Sequence, residues 1–202
     1  MLIGDLAAGS ATGLALIVAI GAQNAYVLRQ GLARDHVGLV VAICAVSDLV
    51  LILAGVAGIG TVVERAPWAI DVVRWLGVAF LCWYGVSSLL RARHPDALAA
   101  SGGARLTRRS AALRALALTW LNPHVYLDTV LLLGSVAATH GDPGRWWFAV
   151  GACLASVLWF SGLGYGARLL ARFLASARAW QVLDVLIGLT MLAIALRLAT
   201  GG

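Results

Sequence analysis

The chain has 202 residues, of which 61% are hydrophobic and 12% charged, with a formal net charge of +6 and a mean hydropathy of +0.91. Soluble domains run near half apolar and about a quarter charged, so this composition excludes a soluble globular fold, a disordered chain and a disulfide scaffold. It describes an integral membrane protein in which six helices of about 20 residues leave room only for short loops.

Charge-free runs mark the expected spans in chain order. Leu6 to Leu28 carries no charge and forms span 1. Val37 to Val63, interrupted only by Asp48, is span 2. Trp68 to Leu90, with Asp71 and Arg74 in its first turns, is span 3. Ala115 to Thr139 contains only His124 and Asp128 and is span 4. Trp146 to Ala167 is span 5, and Ala179 to Leu196, holding only Asp184, is span 6. The longest connection, residues 91–112, is rich in arginine and contains Pro95 and Ser101-Gly102-Gly103, which reads as a flexible linker between two halves.

All 15 basic residues are arginine. They lie in loops and at span ends, so they report orientation rather than nucleic-acid binding. Eleven fall on the side of the linker and four, Arg65, Arg74, Arg145 and Arg197, on the other. The positive-inside rule then places the linker in the cytoplasm and both termini outside. Trp68, Trp146, Trp147 and Trp180 begin spans and are expected in the interfacial belts. Arg29, the first basic residue, follows the first apolar run, so the N-terminus does not read as a secretory signal.

The halves look related. Span 2 contains Cys44-Ala-Val-Ser47-Asp48 and span 5 contains Cys153-Leu-Ala-Ser156-Val157. Span 1 has an amide-bearing break at Gly21-Ala-Gln23-Asn24, and span 4 has one at Leu121-Asn122-Pro123-His124. Three spans per half require the repeats to be inverted, and inverted repeats with interrupted helices are a secondary-transporter signature. The expected architecture is a single all-α transporter domain over residues 1–202. Its first repeat covers about 1–90 and its second about 113–202, with helices 1 and 4 interrupted.

Asp48 and Asp128 lie near the middle of their spans. A carboxylate there costs on the order of 2.5–3.5 kcal/mol to insert, and function is the default reading for such an acid. Asp184 lies one turn after Trp180 and reads as a snorkelling or capping acid. Asn122 as N-cap with Pro123 at the first helical position restarts a helix inside the membrane, and such half-helix ends hold substrate carboxylates in transporters. Gly21 is the candidate partner break. His124 and Asp128, spaced i, i+4, share a helix face and are candidates for proton handling. Trp83, Trp120, Tyr126 and Trp159 read as interior aromatics on which a cation can stack, with core packing the competing role. The glycines of spans 2 and 5 read as packing positions. Cys44, Cys82 and Cys153 are far apart with no CxxC pair, so no metal or redox cofactor is expected. P-loop, zincin and nucleophile-elbow motifs are absent, so no ATPase or hydrolase chemistry is expected.

Several segments together resemble the LysE/ArgO family of basic amino-acid exporters. They are Gly21-Ala-Gln-Asn-Ala-Tyr-Val-Leu-Arg-Gln-Gly31, Ser47-Asp48-Leu-Val-Leu-Ile52, Thr119-Trp-Leu-Asn-Pro-His-Val-Tyr-Leu-Asp-Thr129, Gly141-Asp-Pro-Gly-Arg-Trp146 and Leu158-Trp-Phe160. The family motif falls on Gln23, Asn24, Asp48, Asn122, Pro123, Tyr126 and Asp128. Where the family usually has proline before Gln-Asn this chain has Ala22, which implies a softer break in span 1. The resemblance implies export of L-lysine, L-arginine or analogues across the bacterial plasma membrane, with lipid as the surroundings and a homo-oligomer compatible with it.

Two acids for the two cations of the substrate, and a half-helix end for its carboxylate, make a consistent site. Without substrate, two acids buried together hold at least one proton between them, and substrate binding releases it, which gives proton-coupled antiport without ATP. A divalent-cation or other small-solute transporter using Asp48 and Asp128, a passive channel and a membrane-embedded enzyme are the competing readings.

Overall fold

The computed structural model describes residues 2–18, 21–58, 67–93, 106–170 and 177–200. Within them every regular element is helical: α1 Leu2–Ile17, α2 Ala22–Ala33, α3 Val37–Val56, α4 Pro67–Ala92, α5 Arg108–Trp120, α6 Pro123–Ala138, α7 Gly141–Leu170 and α8 Ala177–Thr200. Residues 94–105 of the expected linker, together with Gly60, Arg65 and Arg172, lie outside the described residues.

Val37–Val56, Asp71–Ala92, Gly141–Leu169 and Arg178–Thr200 are each long and apolar enough to cross a membrane. Leu2–Ile17 and Ala22–Ala33 together meet the same test as one span bent by 84°. By length and composition the described residues thus supply four spans, or five with the bent pair, where the sequence reading expected six. The remaining run, Ala115 to Thr139, is divided between α5 and the short apolar α6. The interruption expected at Gly21-Ala-Gln23-Asn24 is present, with α2 starting directly after its N-cap Gly21.

The burial pattern of α3 is the reverse of a soluble amphipathic helix. Val46, Val50 and Leu53 are exposed on one face, while Cys44, Ser47, Asp48, Ile52 and Gly55 are buried on the other. An apolar outer face suits lipid, and small or polar residues inside let helices approach and bond. Gly55 shows the closeness required: a Cβ there would lie 2.7 Å from Thr129 O and 2.8 Å from Val130 O. Gly134 of α6 packs back onto the Gly55 backbone. Gly9 and Gly13 of α1 face Phe148 and Ala152 of α7, which share a core cluster with Ile52, Val56 and Leu133.

Three positions differ from the sequence reading. Trp83 is exposed, with the Arg114 guanidinium 5.5 Å over its ring, rather than interior. Trp180 is buried against Leu32 and Ala167 rather than interfacial. Asp184 is fully buried, because two arginines converge on it.

Candidate functional site

The first helix break starts at Gly21, the N-cap of α2, which has extended backbone (φ −113°, ψ 176°) and offers no side-chain cap. Asn24, in the first turn of α2, compensates. Its Nδ2 donates to Ile17 O at 2.6 Å, so the end of α1 finds a partner across the break. Trp159 of α7 donates Nε1–H to Asn24 Oδ1 at 3.2 Å and holds that amide in place.

The second break is built from Asn122 and Pro123. Asn122 has extended backbone and its Oδ1 accepts from His124 N–H at 3.1 Å, while Pro123 occupies the first helical position. Val125 N–H donates to Asn122 O at 3.2 Å and Tyr126 N–H to Pro123 O. Proline has no N–H to give. The donors of this first turn are therefore used within the chain, and the free half-helix end expected from the sequence is not offered to a ligand. The break is braced from three sides. Tyr126 donates its hydroxyl to Trp120 O at 2.9 Å. Trp120 donates Nε1–H to Ser47 Oγ at 3.1 Å, tying α5 to the residue before Asp48. A Cβ at Gly77 of α4 would collide with Leu121 O, so only glycine admits the chain end there.

Beyond the break α6 continues as a π-helical stretch, Tyr126–Leu132, in which Leu133 N–H reaches back to Asp128 O. Such stretches interrupt α-helices frequently at functional sites. The wide turn alters the α-helical row that would align Asp128 with His124, and no hydrogen bond or ion pair joins the two side chains among the described residues.

Both breaks border one cavity of about 390 Å³. Gln23 and Asn24 come from α2, Asp48 from α3, and Asn122, His124 and Asp128 from the second break and α6. Gly21, Thr129, Phe160 and Arg197 complete the polar and aromatic part of the wall. Asp48 is buried and its Oδ2 accepts from the Ser156 hydroxyl at 3.0 Å. Gln23 Nε2 is buried without a hydrogen-bond partner among the described residues. Pro123 is buried at the break, and Tyr126 and Trp159 do not line the cavity: they brace the two breaks instead. No three His, Cys, Asp or Glu side chains converge as a metal-ligand set among the described residues.

Sequence reasoning missed Arg197, which it counted only for orientation. It noticed Ser156 only as a match to Ser47, although both serines serve the site.

A second polar cluster sits at the other end of α8. Asp184 Oδ1 accepts from Arg29 Nε at 3.1 Å and from Arg91 Nη2 at 3.3 Å. Arg91 Nη2 also donates to Ser88 Oγ at 2.5 Å. Asp184 and Arg197 are thirteen residues apart on α8, about 20 Å along the helix axis. The cluster thus joins α2, α4 and α8 at the end of α8 opposite Arg197, and none of its side chains lines the cavity.

An all-helical, multi-pass membrane protein whose two helix breaks border a cavity lined by two carboxylates has the build of a transporter. The LysE type translocator family matches residues 14–202, and the chain belongs to that family, whose members are translocators and not enzymes. It is 42% identical over 195 residues to the arginine exporter protein ArgO of Salmonella paratyphi A, covering 96% of this chain and 92% of the relative. It is 39% identical over 220 residues to the lysine exporter LysE of Corynebacterium diphtheriae, covering 95% and 96%. With the lysine exporter LysE of Corynebacterium efficiens it shares 37% identity over 222 residues, covering 96% and 97%. No solved structure matches the chain.

Proposed function

We propose that the chain is a secondary-active exporter of basic amino acids, L-arginine, L-lysine or both, across the bacterial plasma membrane, coupled to proton entry. The observation that carries this reading is the cavity itself. Asp48 and Asp128 line one space from opposite halves of the chain, and neither is neutralised by an ion pair among the described residues. A basic amino acid carries an α-ammonium and a side-chain cation, and two acids in a low-dielectric site suit both. We assign the coupling proton to exchange against the bound substrate at one of these two acids.

The relatives named lysine exporter and arginine exporter support the substrate class. The six-span arrangement as two inverted repeats pairs α1–α2 with α5–α6, α3 with α7, and α4 with α8. Its supports are the two breaks and the matched Ser47 and Ser156, each bonded across to a residue of the other half. Alternating access then rocks one half against the other. With the linker in the cytoplasm, the Arg29–Asp184–Arg91 cluster closes the cytoplasmic side and the cavity belongs to the outward side. The test is efflux of labelled arginine, lysine and a neutral amino acid from cells with and without the protein. Protein-dependent efflux of the basic pair alone is expected, and equal efflux of the neutral one overturns the reading.

A further inference from the structure

We propose that Arg197 is the carboxylate-binding residue of this cavity, and that it makes the protein select α-amino acids over amines that lack the carboxylate. The inference rests on the export reading above and goes further by assigning the third charge of the substrate.

Arg197 lies in the last turns of α8, and Ile194, three residues earlier on the same helix face, lines the cavity with it. The backbone that carries it is held from α4. Arg74 donates Nε–H to Leu198 O at 2.6 Å and Nη2–H to Ala199 O at 2.9 Å. Arg197 itself makes no ion pair among the described residues, with Asp48, Asp128 or any other acid. Three charged side chains thus border one cavity without neutralising one another within 4.0 Å.

For a cargo that is only cationic, a guanidinium at the cavity wall is unfavourable, because like charges repel. A zwitterionic cargo with a cationic side chain suits the wall group by group. Its two cations meet Asp48 and Asp128, and its carboxylate meets Arg197. The planar guanidinium fork matches a carboxylate bidentately. The other candidate for the carboxylate, the helix start at Asn122, has its N–H donors already bonded within the chain. Only the Asn122 Nδ2 group remains there without a protein partner among the described residues, and it suits a supporting donor.

The experiment uses purified full-length protein in liposomes loaded with labelled arginine. Exchange is driven by external L-arginine or by agmatine, the same molecule without the carboxylate. Wild type is expected to favour arginine. In Arg197→Gln the apparent affinity for arginine should fall by roughly tenfold to a hundredfold, the range of a lost charge-assisted pair. Agmatine exchange should hold or rise, so that the preference disappears, and Arg197→Lys should restore part of it. Retention of the arginine preference in Arg197→Gln overturns the proposal and leaves the export reading standing. Parallel loss of arginine and agmatine exchange also overturns it, since that reports structural damage rather than a lost carboxylate contact. Wild-type protein that exchanges neither arginine nor lysine defeats the export reading itself, and the proposal with it.

Discussion

Arg29 in α2 and Asp184 in α8 meet at 3.1 Å with both side chains buried, although 155 residues separate them in the chain. Arg91 of α4 joins the same carboxylate oxygen, so one anion holds three helices and two guanidiniums. Replacing Asp184 with asparagine leaves the buried Arg29 and the half-buried Arg91 without their counter-charge. Breaking such a pair costs about 3–5 kcal/mol. Asp184→Asn is therefore expected to lower the thermal unfolding midpoint and the abundance of the protein, read by a fluorescence-detected melt in detergent. An unchanged melt shows that the pair contributes nothing to holding the helices together.

The cavity acids behave in the opposite way. Asp48→Asn and Asp128→Asn keep the side-chain shape and remove a charge that costs on the order of 2.5–3.5 kcal/mol at the centre of a span. Abundance should hold or rise while arginine efflux collapses in both variants. If one acid handles the proton and the other the substrate, the coupling variant keeps exchange of internal for external arginine and loses uphill export. Wild-type efflux per molecule in both variants sinks the site.

The second break is open to a backbone test. Pro123→Ala restores an N–H and favours a continuous helix through Leu121 and Asn122. Asn122→Ala removes the acceptor that now caps His124, a loss of about 1 kcal/mol. Gly77→Ala pushes a methyl group into Leu121 O. All three should insert and yet transport poorly, measured as efflux normalised to membrane-embedded protein. Normal efflux from all three makes the break an inert kink.

Trp159→Phe keeps the ring and removes only the N–H that bonds Asn24. A net hydrogen bond is worth about 1 kcal/mol, so a roughly fivefold weaker apparent affinity for arginine is expected, with abundance unchanged. An unaltered concentration dependence of uptake into inverted vesicles shows that the bond does not position Asn24 for transport.

Orientation follows from the eleven-to-four division of arginines. A reporter fused after Arg109 should read cytoplasmic, and one fused after Gly202 should read periplasmic. A cytoplasmic reading at both points gives the second half an even number of spans, and the inverted-repeat arrangement fails.

The parts of this structure that were legible in the sequence are those that local chemistry marks. Asn122-Pro123 announces a helix restart because proline lacks a donor and asparagine supplies an acceptor. Asp48 and Asp128 stand out because a charge in an apolar run needs a reason. The sequence does not show what distant residues do to one another. Asp184 looks like an interfacial acid until Arg29 and Arg91 arrive from two other helices. Tyr126 and Trp159 carry the marks of cavity aromatics, yet their polar tips brace the breaks. Arg197 sits at a span end, where a basic residue has an ordinary topological explanation, and only the folded arrangement of the helices brings it to the acids' cavity. The break at Gly21 was legible from its glycine and the amides that follow, even though Ala22 stands where the family usually has proline.

The π-helical stretch from Tyr126 to Leu132 has a consequence for how the gene can change in length. A π turn holds more residues than an α turn, so this stretch carries slack that its flanks lack. Deleting one residue between Tyr126 and Leu132 lets the helix close into ordinary α turns, and Gly134 keeps its place against Gly55. The same deletion between Gly134 and Ala138 has no slack to draw on. It rotates everything after it by about 100°, and carries the start of α7 off its seat on α1.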